Sequence, residues 1–267
     1  MIQPFATADL ARISHLQPDG WQDIVTFFRF YLEAPFCLPL KIEDTNCIVA
    51  IGALILHRET AWIAHIIVDS EMRRKGLGLA ITEELIRGAE KNGRNIQLLI
   101  ATQMGAPLYE RSGFRHSCDY LFYHQPVRGA VDMPFQIREL EAADFLEILS
   151  LDQSAAGEDR RALLSRYGTS GWVYVDPEKK SIRGYFLPDL GEGTVVAQDS
   201  EAGSALLGLR LAKVEAAPVL PAGNHAANAF LRDMGLNPRS SAVRMVRNGD
   251  DPLDQGMVFN RIGGHLG

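Results

Sequence analysis

Apolar residues follow two different spacings along the first half of the chain. Short runs that are apolar, or that alternate with polar residues, predict strands, whereas recurrence every three or four positions predicts amphipathic helices. The resulting order is strand, two helices, three strands, helix, strand, helix and strand. The predicted strands are residues 1–5, 38–43, 47–58, 61–68, 95–101 and 117–124, and the predicted helices are 7–16, 21–33, 79–91 and 106–111. Gly52, inside the third strand, is typical of a β-bulge.

The second half repeats this order in a weaker form, so it resembles a degenerate internal repeat. Residues 135–140 correspond to 1–5, and Ala142 opens a helix as Ala6 does. Between the halves, residues 125–134 contain two prolines and a glycine and predict a linker. We therefore expect domains at 1–124 and 135–267. Further strands are predicted at 171–175, 181–187, 193–198, 217–220, 242–246 and 257–262, and further helices at 159–167, 202–212 and 224–234.

A basic, glycine-containing loop joins the strand that ends at Val68 to the helix that follows. The first turn of a helix leaves about four N–H groups without intrahelical partners, and the helix dipole places partial positive charge there. A phosphate or diphosphate can accept those hydrogen bonds, and glycine allows a ligand to approach the backbone closely. The residues that predict such a site are Arg73, Arg74, Lys75, Gly76, Leu77, Gly78 and Leu79.

Two other glycine-loop motifs do not fit this segment. A P-loop needs Gly-x-x-x-x-Gly-Lys followed by Ser or Thr, and this pattern is absent from the chain. A dinucleotide-binding fingerprint needs Gly-x-Gly-x-x-Gly, but Ile81 stands where the third glycine is required. The loop therefore predicts diphosphate binding through another motif.

The six residues from Arg73 to Gly78 fit an Arg/Gln-x-x-Gly-x-Gly/Ala signature, so the segment resembles the GNAT superfamily of N-acetyltransferases. Val68, five residues before Arg73, matches the end of that family's preceding strand. The resemblance implies that the loop holds the pyrophosphate of acetyl-CoA. It also implies an α+β fold of two tandem GNAT-like lobes, each a mixed, mostly antiparallel twisted sheet flanked by helices.

The stretch of the second half that corresponds to the basic loop is residues 199–203, which are acidic and lack the signature. Negative charge there would repel a diphosphate. The chain therefore resembles tandem GNAT proteins in which one lobe, here 1–124, is catalytic and binds acetyl-CoA. The other lobe, 135–267, would keep the fold without the cofactor, and would brace the first lobe or complete its acceptor site.

The resemblance also implies catalytic roles for residues of the first lobe. Backbone N–H groups near Ile66, Ile67 and Val68 would bind the pantetheine arm and the thioester oxygen, since GNAT-like folds separate this strand from the next. Tyr109 precedes a Gly-Phe pair at the position of the general acid in the family's Tyr-x-x-x-Gly-Phe motif. A phenol with a pKa near 10 can protonate a thiolate. Tyr109 could also be a structural residue, although the repeat places Leu231 at the corresponding position.

Three further residues complete the predicted site. Thr102 and Ala106 would lie along the pantetheine arm, although Thr102 replaces the asparagine of many family members. His65 is the candidate base, because an ordinary pKa near 6.5 suits proton uptake at neutral pH. A histidine on an apolar strand is also often a structural residue, and the amine could lose its proton through a chain of waters instead.

Composition restricts the class of partner. The net charge of −6 argues against a general nucleic-acid binder. No apolar run reaches the roughly 20 residues that span a bilayer, and the first residues lack the pattern of a signal peptide, so we expect a cytoplasmic protein without membrane contact. Its three cysteines, Cys37, Cys47 and Cys118, have no metal-ligand spacing, which predicts buried, reduced thiols and no metal.

These observations predict an acetyl-CoA-dependent N-acetyltransferase that moves the acetyl group directly to a primary amine of a small molecule. The alternative is a non-catalytic protein that binds or senses acyl-CoA, and acetylation of protein N-termini or lysines stays open. We expect a monomer or a homodimer. The acceptor is unidentified, but an aromatic cluster in the second helix forms either core or an acceptor-pocket wall. The cluster consists of Trp21, Phe27, Phe28, Phe30 and Tyr31.

Overall fold

The computed structural model describes residues 1–124 and 133–266 and divides into two compact units. The first unit comprises Met1–Ile100, Met104–Arg115 and Met245–Asp250. The second comprises Ala101–Gln103, His116–Arg244 and Asp251–Gly267. Most of the predicted linker, residues 125–132, lies outside the described residues, and the predicted domain boundaries stay predictions.

The first unit contains a sheet of five consecutive strands with helices between them. Neighbouring strands are antiparallel except the last two, which are parallel. The strands are β1 (Ile2–Pro4), β2 (Cys37–Asp44), β3 (Cys47–Leu56), β4 (Thr60–Val68) and β5 (Ile96–Ala101). The helices are α1 (Ile24–Glu33), α2 (Leu77–Lys91) and α3 (Ala106–Arg111), with 3₁₀ turns at Thr7–Arg12, Ser14–Leu16 and Ser70–Met72.

The helix predicted at residues 7–16 is wrong in kind, because this segment forms two 3₁₀ helices. The carboxylate of Asp9 accepts hydrogen bonds from the backbone N–H of Ala6 (2.8 Å) and from the buried ammonium of Lys41 (2.7 Å). These contacts tie the first turn to the neighbouring strand β2. The chain therefore tightens into i→i+3 turns instead of continuing as an α-helix.

Helix α2 provides the main helical contact of the first sheet. Its buried residues Ile81, Leu85 and Ala89 recur at four-residue steps and therefore lie on one face. Ile81 packs in a cluster with Val49 and Ala50 of β3. This packing fixes where the helix begins, and so where the preceding loop lies.

Strand β4 departs from regular pairing on both of its edges. It pairs with β5 only from Thr60 to Trp62 among the described residues, so the two strands separate beyond that point. On the other edge, the register with β3 shifts by one residue opposite Gly52, which confirms the predicted bulge. The extra residue lies next to His65, whose φ of 50° is unusual for a residue other than glycine.

The second unit is built around a five-stranded antiparallel sheet. Its order is β13 (Val258–Asn260), β10 (Thr194–Ala197), β9 (Ile182–Leu187), β8 (Trp172–Val175) and β7 (Ile137–Glu139). Strand β6 (Arg115–Tyr123) pairs antiparallel with β11 (Val219–Pro221), and β12 is Pro238–Arg247. The helices are α4 (Phe145–Ala156), α5 (Arg161–Tyr167), α6 (Ser200–Lys213) and α7 (His225–Asp233), with 3₁₀ turns at Ala142–Asp144 and Gln255–Met257. The predicted α+β class is confirmed.

Close packing of α6 on the sheet forms the core of the second unit. Leu206 and Leu207 are fully buried with Phe186 and Phe259 in one apolar cluster. A Cβ added at Gly203 would lie 2.1 Å from the Phe259 ring, so the helix approaches β13 too closely for any side chain. Gly203 therefore allows α6 to pack closely against β13.

Two expectations from composition can be examined in the fold. No helix within 1–124 or 133–266 combines the length and apolarity needed to cross a membrane. In the same residues, no group of three or more His, Cys, Asp or Glu side chains is placed to hold a metal ion. Cys37 and Cys118 are buried, but Cys47 is exposed next to the β2–β3 turn, so the expectation of a buried thiol is wrong there.

Candidate active site

The basic loop follows β4 and ends where α2 begins. Asp69 caps the short 3₁₀ turn by accepting a hydrogen bond from the Glu71 N–H (2.9 Å). Arg73 then folds back, and its Nε donates to the carbonyl oxygen of Val68 (3.3 Å). Arg74 and Lys75 are exposed to solvent. The loop thus holds one cation against the strand end and presents two to the surroundings.

The two glycines of the loop have different roles. Gly76 precedes α2 with a φ of 82°, a left-handed conformation that costs other residues roughly 1–2 kcal/mol. Space around it is open, with nothing within 4 Å of an added Cβ. Gly78 is buried, and a Cβ there would lie 3.0 Å from Leu108 of α3. Gly76 therefore shapes the turn, whereas Gly78 allows α3 to pack against the start of α2.

The start of α2 has the properties of an anion site. Its first intrahelical hydrogen bond runs from the Ala80 N–H to the Gly76 oxygen (2.9 Å), so the N–H groups of Leu77, Gly78 and Leu79 precede the regular ladder. No acidic residue occupies the first turn, and no side chain caps it. Positive helix-end potential is thus left uncompensated by the helix itself.

The corresponding helix of the second unit begins in a different environment. Asp199 caps α6 by accepting a hydrogen bond from the Ala202 N–H (3.0 Å). Arg183 pairs with both Asp199 (2.8 Å) and Glu201 (2.9 Å), and the Tyr174 hydroxyl also donates to Glu201 (2.8 Å). Acidic side chains of the unit itself therefore occupy this helix start, and they disfavour a bound diphosphate.

His65 lies in an aromatic setting created by α1 and the residues before it. The Tyr31 hydroxyl lies 2.5 Å from His65 Nδ1. The Phe27 ring stacks on the imidazole at 4.6 Å between centroids, and Trp21, 44% exposed, approaches its edge at 5.8 Å. Burial lowers the pKa of His65 from 6.5 to about 4, so the ring is neutral at neutral pH. A neutral ring can accept a proton, but this pKa makes it a weak base.

Tyr109 lies on α3, one residue after the leucine that touches the start of α2. It is half-buried, and burial raises its pKa from 10.0 to about 12, so the phenol stays protonated. Its ring meets Phe114 edge-on at 6.2 Å. The equivalent Leu231 is fully buried in α7, so the fold accepts an apolar residue at this position.

The remaining predicted site residues fall into two groups. Ile66, Ile67 and Val68 lie on the part of β4 that has left β5, and Ala106 is the first residue of α3, so these belong to the first unit with the loop and Tyr109. Thr102 is exposed and belongs to the short segment Ala101–Gln103 of the second unit. Its predicted contact with a pantetheine arm stays a prediction.

The contact between Tyr31 and His65 was not foreseen from the sequence. The two residues are 34 positions apart, and the bulge that turns the imidazole toward α1 depends on pairing with β3. The available signals were Gly52 and the aromatic cluster itself. Within that cluster Phe28 and Tyr31 are buried, while Trp21 remains substantially exposed. The cluster therefore contributes both to the hydrophobic core and to the protein surface.

Two matches to protein families cover successive parts of the chain. A family model described as acetyltransferase (GNAT) domain matches residues 40–116. A second model with the same description matches residues 148–259. The first match contains the basic loop, and the second contains α4 to β13.

Similar proteins agree with these matches over most of the chain. The Bacillus subtilis (strain 168) protein YitH, named an uncharacterized N-acetyltransferase, is 25% identical over 239 residues, which are 83% of this chain and 82% of YitH. A proposed acetyltransferase from Pyrococcus horikoshii superposes with a TM-score of 0.84 at 16% identity, covering 100% of this chain and 95% of that one. A tandem GNAT protein from the clavulanic acid biosynthesis pathway superposes with a TM-score of 0.62 at 14% identity, covering 92% and 97%. The two structural matches show a shared fold.

Proposed function

The chain is a GNAT acetyltransferase with two such domains in tandem, and we propose that its first unit moves an acetyl group from acetyl-CoA directly to a primary amine of a small molecule. The main support is the helix start at residues 76–79, which follows three basic residues, is uncapped and is free of acidic residues in its first turn. The name of YitH, an N-acetyltransferase, supports an amine as acceptor.

The residues of the first unit fit a coenzyme A ester. Arg74 and Lys75 would pair with phosphate oxygens, and the N–H groups of 77–79 would donate to the diphosphate. The part of β4 beyond Trp62 has an edge that β5 does not pair, so its N–H groups are available to an extended pantetheine arm. When bound, acetyl-CoA supplies the activated acetyl thioester.

Each chemical task in the transfer has a proposed residue. The N–H groups near Ile66 to Val68 would stabilise negative charge on the thioester oxygen. As the amine nitrogen bonds to the acetyl carbon, the carbon–sulfur bond breaks, and Tyr109 would give its proton to the departing sulfur. The amine would lose its proton to His65 or to water. The low pKa of His65 favours water for strongly basic amines.

A screen of primary amines at saturating acetyl-CoA, with released thiol as the readout, tests this proposal. We expect turnover with at least one amine, and a roughly 100-fold lower kcat in Tyr109→Phe with unchanged acetyl-CoA affinity, since general acids contribute about 10²–10⁴-fold. Binding of acetyl-CoA without turnover on any amine would instead favour the non-catalytic sensor. Tyr109→Phe with wild-type kcat would remove this residue from the mechanism.

A further inference from the structure

The second unit contains a small, partly enclosed cavity on one side of β10. The cavity offers about 10 Å³ for the centre of a water-sized sphere, which is near the minimum for one water or one monatomic ion. Six of its 11 lining residues are charged or polar. The polar lining residues are Tyr120, Glu158, Arg160, Thr194, Arg244 and Arg261.

Three buried arginines surround this space, and each is held by one carboxylate. Arg160 donates from Nε (3.0 Å) and Nη2 (2.5 Å) to Asp152. Arg244 donates from Nε (2.6 Å) and Nη2 (2.8 Å) to Asp251, and Arg261 makes the same pair of bonds, both 2.8 Å, to Glu192. All three guanidinium groups are thus fixed through the same edge.

Two of the three carboxylates are themselves held, so the positions of Arg160 and Arg244 are preorganised. Asp152 also accepts a hydrogen bond from the Tyr185 hydroxyl (2.5 Å). Asp251 accepts from the Ser117 hydroxyl (2.5 Å) and from the Leu253 N–H (3.2 Å). Rigid donors lose little conformational entropy when a ligand binds.

Two donors in the cavity lining have no hydrogen-bond partner among the described residues. They are the hydroxyl of Tyr120 and Nη1 of Arg261. Tyr120 is fully buried, and the Arg261 residue is 5% exposed. Buried polar atoms almost always have a partner. Because burial raises the pKa of Tyr120 to about 12, its hydroxyl keeps its proton and remains a donor. Arg261 Nη1 can only donate, so the partner that it lacks is a hydrogen-bond acceptor, and the Tyr120 hydroxyl can donate to such a group as well.

Stability alone does not explain so many buried charges around one cavity. A buried ion pair contributes little compared with apolar side chains of similar volume, because removing both charges from water is costly. Here three such pairs, and also Glu158 at 1% exposure, surround one small space. An arrangement with this cost is expected where it binds something.

We propose that this cavity is a binding site for one monatomic anion, a halide. Tyr120 and Arg261 would donate to it directly. Glu158 and the three partner carboxylates outnumber the three arginines by one formal charge, so affinity comes from directed hydrogen bonds and not from net charge, and we expect weak binding. The site is separate from the proposed acetyl transfer and does not depend on it.

Thermal unfolding of the full chain at constant ionic strength tests the site. Sodium gluconate, whose anion is too large to enter, would be replaced stepwise by sodium bromide or, as a size control, by sodium acetate. We expect the midpoint of the wild-type protein to rise by about 2–4 °C with bromide and to stay unchanged with acetate. An equal rise with acetate would contradict a site for a monatomic anion.

Two buried tyrosines provide matched variants for this experiment. Tyr120→Phe removes a cavity donor and should reduce the anion-dependent rise at least by half, whatever its effect on the midpoint in gluconate. Tyr123→Phe removes a hydroxyl that donates to Asn228, a residue that does not line the cavity, and should keep the full rise. Equal rises in wild type and Tyr120→Phe would overturn the proposal.

Crystals grown in bromide give an independent readout of position. We expect an anomalous peak within hydrogen-bond distance of the Tyr120 hydroxyl and Arg261 Nη1. If the density there shows no anomalous signal and is the same in bromide and gluconate, the cavity holds a buried water only, and the anion site is refuted.

Discussion

Helix α2 of the first unit and helix α6 of the second unit begin in opposite electrostatic settings. In the first unit, α2 starts after exposed Arg74 and Lys75 with no acidic residue in its first turn. In the second unit, Asp199 and Glu201 lie at the start of α6, and both are paired with Arg183. The same position in the fold is therefore open to an anion in one unit and filled by the unit's own carboxylates in the other.

The units also differ in where they place their arginines. Those of the first unit's loop are exposed, so they contribute little to folding and remain available to a ligand. Those of the second unit's cavity are buried and paired with carboxylates. We therefore expect substitution of the exposed cations to change ligand binding alone. Substitution of the buried arginines should also change the stability of the fold.

The largest expected effect is on the stability of the second unit. Asp251→Asn removes the charge that pairs with Arg244, which is 1% exposed, and breaking such a buried pair costs about 3–5 kcal/mol. Urea unfolding should show this loss. The adjacent Asp250→Asn affects an exposed carboxylate and should leave the unfolding midpoint unchanged. Similar results for the two variants would contradict the contrast between buried and exposed charges.

Charge reversal in the basic loop should act on binding instead of folding. Arg74→Glu with Lys75→Glu removes two charge-assisted hydrogen bonds, for a loss of about 3 kcal/mol or roughly 100-fold in the Kd of acetyl-CoA. Titration calorimetry measures the affinity, and thermal unfolding should be unchanged. Lys179→Glu with Lys180→Glu is the matched reversal on an exposed turn of the second unit and should bind as the wild type does.

Acid should destabilise the two units in different pH ranges. Because the pKa of His65 falls from 6.5 to about 4 on folding, the unfolded chain binds more protons between those values. Stability of the first unit should therefore be complete above pH 6.5 and fall by about 3 kcal/mol towards pH 4. Hydrogen exchange of peptides from each unit, measured across this range, should show the loss in the first unit and its absence in His65→Gln.

The second unit should lose stability at a lower pH than the pH at which the first unit begins to lose it. Burial opposes ionisation of Asp251, but the hydrogen bond and charge of Arg244 outweigh it and lower the pKa below its ordinary 3.8. The stability that this carboxylate provides is present above pH 3.8 and is lost as pH falls through the lowered pKa. Loss of protection in the second unit already between pH 6.5 and pH 4 would contradict the assignment of these groups.

The smallest expected effect separates backbone strain from binding. Gly76→Ala and Gly235→Ala both place alanine at a left-handed φ with open space around the new Cβ, so each should cost about 1 kcal/mol of stability. Only Gly76→Ala should also weaken acetyl-CoA binding, because only that turn shapes the loop. Equal affinities in the two variants would show that the geometry of the loop at Gly76 does not matter for the ligand.

Local sequence patterns predicted most of the fold. The recurrence of Ile81, Leu85 and Ala89 identified α2, and a nearly continuous apolar run identified β5, because burial follows the periodicity of each element. The prediction of an α-helix at residues 7–16 was wrong because Asp9 is bound by Lys41, a contact between distant parts of the chain. Bonds of this kind leave no local pattern.

The candidate site was predictable where one continuous segment builds it. The loop signature lies within six residues, and the structure adds that Gly78 lets Leu108 pack close to the start of α2. The setting of His65 was not predictable, because it depends on a bulge and on Tyr31 from another element. The cavity arginines Arg160, Arg244 and Arg261 come from three distant segments without a shared motif.

The most direct test of the account is a crystal structure with coenzyme A bound. We predict that its diphosphate contacts the backbone N–H groups of residues 77–79, with Arg74 and Lys75 beside it. A diphosphate bound at the start of α6 near Glu201, or anywhere outside the first unit, would contradict the assignment of the cofactor to the first unit.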